Sequence, residues 1–193
     1  MDVSAATAAW TGILSQLRRE VAGLEADERA WMQRRLTLIG RLQQQLHAAF
    51  LGLGGAAACA VCRGECCDRG RHHVTLANAL AYLLAAEEPP QPDFERPCPY
   101  LGAQGCTFDV PRRPFNCVTF LCDALDGRFT PARRRAFHAA EQKLRRLYGE
   151  FDHRYAGGGL QGLLLRADTL AGRPLLGRRS PHQPSALRGD LVR

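Results

Sequence analysis

Between residues 4 and 50, apolar side chains recur at helical spacing: Ile13, Leu14, Leu17, Val21 and Leu24, then Trp31, Leu38, Leu42, Leu46 and Ala49. Gly23 and the Glu25-Ala26-Asp27 stretch interrupt the pattern, so it predicts two helices with Asp27 as N-cap of the second. Gln33, Arg34, Arg41, Gln44 and Gln45 form the opposite face, which should meet solvent. The expected unit over residues 1–52 is an antiparallel helical hairpin packed on a core. The alternative reading of the same stripe is a dimerising coiled coil, which would offer these helices to a protein partner.

Gly52, Gly54 and Gly55 should stop the second helix. Residues 53–127 hold every cysteine, with a short helix over 75–86 and then a proline-punctuated loop running through Pro89, Pro90, Pro92, Pro97, Pro99, Pro111 and Pro114. Without helical periodicity, that loop needs something other than backbone ladders to order it. Residues 128–171 form a basic helical region: Thr130 and Pro131 suit the start of a helix running to about residue 155, with Phe137, Leu144, Leu147, Tyr148 and Phe151 on one side. A further short helix is expected over 160–170, and a disordered basic tail over 172–193.

Composition narrows the class. The chain has 193 residues, 46% hydrophobic and 23% charged, enough for a single compact core. The longest apolar run, residues 74–86, contains Thr75 and Asn78 and falls short of the roughly 18 residues a membrane span needs. No membrane partner is expected. Met1-Asp2 opens the sequence and no basic residue precedes Arg18, which reads as a cytoplasmic chain rather than one with a secretory signal.

In a reducing compartment, clustered cysteines are metal-ligand or redox candidates rather than disulfides. The first group is Cys59-x2-Cys62-x3-Cys66-Cys67, and the second comprises Cys98, Cys106, Cys117 and Cys122. Two residues between Cys59 and Cys62 allow a tight turn to present both thiolates to one ion, with Gly64 suited to the knuckle. The adjacent Cys66 and Cys67 project in different directions, so the second group must fold back to complete a site. Cys122, in an apolar run with Phe120 and Leu121, is the cysteine best explained by packing alone. His72 and His73 are near enough to ligate, although histidines so placed more often lie on the surface or hydrogen-bond a ligand. Glu65 and Asp68 read as solvent or outer groups.

The spacing Cys59-x2-Cys62-x3-Cys66-Cys67, followed by Cys98-Pro99-Tyr100-Leu101, Gly105-Cys106, Arg113-Pro114-x2-Cys117, Phe120 and Cys122, resembles the YkgJ-type cysteine-cluster family. The resemblance covers about residues 56–125, and implies a zinc- or iron-chelating domain. Asp109 and Val118 depart from the tyrosine and arginine common in that family. A related cluster in the longer flagellin lysine N-methylases is associated with a [4Fe-4S] centre and methyl transfer, which implies an iron–sulfur option here and, as an alternative function, a protein lysine methyltransferase-like iron–sulfur enzyme.

The expected fold is therefore mainly α: a small helical domain wrapped around a loop-rich, cysteine-ligated metal site. The cofactor is a [4Fe-4S] cluster or zinc, since each is satisfied by four thiolates. Cys98-Pro99 and the apolar Val61, Leu101, Phe108 and Phe115 suit a shielded cluster. The expected role is structural, chelating or redox. A second class of function uses a zinc scaffold to bind nucleic acid or an acidic partner through Arg133, Arg134, Arg135, Arg145 and Arg146, within a net charge of +7. Glu141 interrupts those arginines and few aromatic residues accompany them, so a solvated helix face explains them more simply. No dinucleotide, phosphate-loop, nucleophile-elbow or H-E-x-x-H pattern supports nucleotide-dependent or hydrolytic catalysis.

Overall fold

The computed structural model describes residues 2–62, 70–103 and 105–178. These residues are mainly helical. The elements are α1 (Val3–Ala22), α2 (Ala26–Gly52), α3 (Gly55–Cys62), α4 (Leu76–Leu83), β1 (Leu101–Gly102), β2 (Gly105–Cys106), α5 (Phe115–Thr119), α6 (Asp123–Asp126), α7 (Pro131–Arg154) and α8 (Leu163–Leu170), with single 3-10 turns at Gly70–His72 and Val110–Arg112.

The apolar stripe of α1 does what its spacing predicts: Ala6, Trp10, Ile13, Leu14, Leu17 and Val21 are buried. Burying a Leu or Ile side chain of this kind contributes about 1.5–3 kcal/mol before entropy is counted. α1 packs chiefly on α4 and α8, while α2 packs along α7. The buried face of α2 is rotated from the expected one. It carries Glu28, Met32, Ile39, Gln43 and Leu46, while Leu38 is 41% exposed. Gln33, Arg34, Arg41, Gln44 and Gln45 do face solvent. The N-cap of α2 is Glu25, and Asp27 lies inside the first turn.

α2 and α7 are tied at one end by Glu28, which accepts from Arg154, Arg178 and the Tyr155 hydroxyl. Arg154 also stacks over the Trp31 ring at 4.4 Å. Residues 172–178, expected to belong to the tail, are packed instead. Leu175 is buried, Glu20 accepts from the Leu175 and Leu176 amides, and the buried Arg166 donates to the Leu175 carbonyl at 2.6 Å. Burial pulls the Arg166 guanidinium down to about 10. The rest of that expected tail, 179–193, lies outside the described residues.

The proline-rich loop holds a two-stranded hairpin that its composition hides. β1 and β2 pair antiparallel with Leu101 opposite Cys106, and the Thr107 amide extends the pairing to the Tyr100 carbonyl at 2.9 Å. Tyr100 anchors the hairpin in the core by edge contacts to Phe108 and Trp10, with centroids 4.8 and 6.1 Å apart.

Candidate metal centre

The hairpin sets Cys98 and Cys106 together. Both are half-buried thiols. Burial pushes the Cys98 thiol up from its ordinary value, and the neighbouring Cys106 adds to the shift. The backbone N–H groups of Tyr100 and Leu101 act the other way, stabilising the Cys98 thiolate. Main-chain donors two and three residues after a cysteine suit a sulfur that is to carry charge. Burial outweighs these donors, so on balance the Cys98 thiolate is disfavoured unless a nearby cation offsets the cost.

The chain leaving the first cysteine group returns to this sulfur. The backbone of Gly70, three residues after Cys67, lies against Cys98 with no room for a side chain between them. Beyond the 3-10 turn, residues 72–75 are clamped to the start of α8. The Leu163 amide donates to the Val74 carbonyl at 2.7 Å, Thr75 forms a bridge with Gly162, and a Cβ on Gly162 would stand 2.2 Å from the His72 carbonyl oxygen. His73 is delivered by this clamp to α5, where its Nδ1 lies 3.5 Å from Cys117 Sγ.

α5 is positioned from below by a buried polar network. Asn78 on α4 donates to the carbonyls of Arg112 and Arg113, 3.0 Å each, and to the Tyr148 hydroxyl at 3.2 Å. Its Oδ1 accepts from the Thr75 amide and hydroxyl, while Gln43 donates to the Arg113 carbonyl and to Tyr148. Phe115 and Val118 are buried, which turns Cys117 to the exposed side. Asp109, one of the departures from the family pattern, accepts from the Tyr82 hydroxyl, and burial together with that carboxylate holds the hydroxyl far above its ordinary range.

The other predicted residues are placed as follows. Cys59 is half-buried on α3. The Cys59–Cys62 spacing lies in a helix rather than in the expected tight turn, because the alanine run 56–58 favours helix. Cys122 is exposed at the N-cap of α6, and Phe120 is 58% exposed, so packing does not account for that cysteine. Of the expected apolar shield, Phe108 and Phe115 are buried, Leu101 is half-buried and Val61 is 85% exposed. Gly64, Glu65, Cys66, Cys67 and Asp68 lie outside the described residues, as does the side chain of Cys62. Among the described residues no group of three or more His, Cys, Asp or Glu side chains is gathered closely enough to hold a metal ion. Among the predicted ligands, Cys98 neighbours Cys106, and Cys117 meets His73.

A cavity of about 690 Å³ opens beside the second pair, lined by Arg71, His72, His73, Arg96, Asn116 and Leu165 among others. Arg71 donates to the Phe94 carbonyl at 2.8 Å and stacks on that ring. On the basic helix, Arg134 pairs with Asp126, and Arg145 pairs with Glu141 while lying over Phe115. Those two of the five proposed phosphate contacts are thus engaged within the chain. Sequence reasoning left His73 outside the ligand set; its only signal was a His-His pair six residues beyond Cys67. No described helix is long and apolar enough to cross a membrane.

No family model, curated protein or solved structure matches the chain.

Proposed function

We propose that the protein is a thiolate-dependent metal-binding protein of the YkgJ type, with a structural, chelating or redox role. Its candidate ligands are Cys59, Cys62, Cys66, Cys67, Cys98, Cys106, Cys117 and Cys122, and the bound group is zinc or a [4Fe-4S] cluster. The observation that carries the reading is the setting of Cys98. Its sulfur feels the neighbouring Cys106, takes two backbone donors and has the returning chain at Gly70 pressed against it. Metal ligation requires deprotonated sulfur, and a half-buried sulfur with main-chain donors beside a second thiol would carry that charge once a cation offsets the burial that otherwise favours the thiol.

When bound, the metal supplies a cross-link between the two cysteine-bearing segments. A binding free energy on the order of 10 kcal/mol can order a loop whose own apolar content is small. Anaerobic purification without added metal, with an absorption spectrum and elemental analysis for iron, sulfide and zinc on one sample, tests the reading. The expected result is stoichiometric zinc, or iron and sulfide in near-equal amounts, with chelation making residues 59–122 protease-sensitive. Absence of both metals, with unchanged protease resistance after chelation, overturns it.

A further inference from the structure

The following rests on the reading of a thiolate-bound metal and names one of its ligands. We propose that His73 coordinates the metal together with Cys117, which makes the centre a mixed nitrogen–sulfur zinc site rather than an all-thiolate one.

Zinc bonds of about 2.0–2.1 Å to nitrogen and about 2.3 Å to sulfur, opened at the tetrahedral angle, place the two ligand atoms about 3.5 Å apart. His73 Nδ1 and Cys117 Sγ are 3.5 Å apart. The separation equals the span of two ligands on one tetrahedral ion. In a [4Fe-4S] cluster each iron takes a single protein ligand, so donor atoms from two residues stand on different irons and farther apart.

A simple thiol–imidazole hydrogen bond fits the distance as well, and two further features separate the readings. The first is rigidity on both sides. His73 sits between residues clamped to Gly162 and Leu163, and Cys117 sits on a turn held by Phe115, Val118 and the carbonyl contacts of Asn78. Positioning both donors from independent parts of the core suits a ligand pair, whose orientation is set by the groups behind it. The second is space. The cavity of about 690 Å³ opens along His73 and along Asn116, next to Cys117, leaving room for an ion and for its remaining ligands. Arg71 lines the same cavity, and its positive charge suits a centre in which thiolates outnumber the charge of the ion.

The test is X-ray absorption at the zinc edge on the full chain loaded with one equivalent of zinc under anaerobic conditions. The expected first shell contains nitrogen at about 2.0 Å beside sulfur at about 2.3 Å, with the outer scattering of an imidazole ring. His73→Ala should lose that nitrogen and release zinc to a competing chelator at least about tenfold more readily. His73→Cys should keep the zinc and show sulfur alone. A sulfur-only shell in the unaltered protein, or a spectrum unchanged by His73→Ala, overturns the assignment and leaves the cysteine centre standing. So does isolation of the protein with stoichiometric iron and sulfide in place of zinc. Failure to retain either metal overturns both. The spectrum of the unaltered protein decides the matter even if the variants fold poorly.

Discussion

Gly70 stands so close to Cys98 that a Cβ at position 70 would lie 2.4 Å from the Cys98 sulfur and 2.8 Å from its Cβ. Those atoms belong to a hairpin anchored by Tyr100, not to the free end of a flexible side chain, so they cannot yield cheaply. Gly70→Ala is therefore expected to cost about 1–3 kcal/mol by overpacking. In a chain of this length that is a fall of about 3–10 °C in Tm, together with weaker metal retention. Gly12→Ala is the control. Nothing lies within 4 Å of a Cβ there, and in mid-helix the change should raise stability by up to about 1 kcal/mol. Equal melting curves for Gly70→Ala and the unaltered protein would show that the contact is slack.

Glu28 offers a pH test of the α2–α7 junction. Its hydrogen bonds from Arg154 hold its carboxyl below the usual range, against the opposing effect of burial, and the Tyr155 hydroxyl adds to the lowering. A carboxylate with a depressed folded value contributes stability that is complete above the unfolded value, near pH 4.3, and is lost as pH falls through the folded value. Glu28→Gln should cost about 2 kcal/mol at pH 7 by weakening charged hydrogen bonds. The gap between variant and unaltered protein should then narrow below about pH 4. Urea unfolding between pH 7 and pH 2 checks both statements, and a gap independent of pH would refute the assignment.

The same junction shows where sequence reasoning stopped. α7 was legible at both ends, because Thr130 and Pro131 are local signals and the stripe through Phe137, Leu144, Tyr148 and Phe151 is strictly periodic. α2 was legible as a helix, yet its buried face was not. Its apolar residues spread over too wide an arc, and the choice is made by Glu28 and Gln43, whose partners Arg154 and Tyr148 lie more than 100 residues away. The candidate centre divides in the same way. Cys98 and Cys106 are joined by a short hairpin whose proline-rich surroundings suggested only a loop, whereas His73 meets Cys117 across 44 residues. The helix through Cys59 stands where the cysteine spacing suggests a turn, because the alanines at 56–58 and 60 favour helix.

Asn78 is the residue on which the placing of Cys117 depends, because its amide holds the two carbonyls just before Pro114 while its oxygen serves the start of α4. Removing it would leave buried donors and acceptors without partners, each costing about 1–3 kcal/mol. Asn78→Ala is expected to lower stability by about 2–4 kcal/mol, or roughly 4–16 °C in Tm. Asn78→Asp keeps the shape but replaces the donating NH2 with an oxygen facing the carbonyls of Arg112 and Arg113. Buried there, the new carboxyl should have a raised value, so its destabilisation should be largest at neutral pH and should shrink as the solution is acidified. If the network serves the metal centre and not stability alone, both variants should also bind metal more weakly at temperatures where they remain folded. Wild-type metal affinity in a folded Asn78→Ala protein would separate the network from the site and leave it a core feature only.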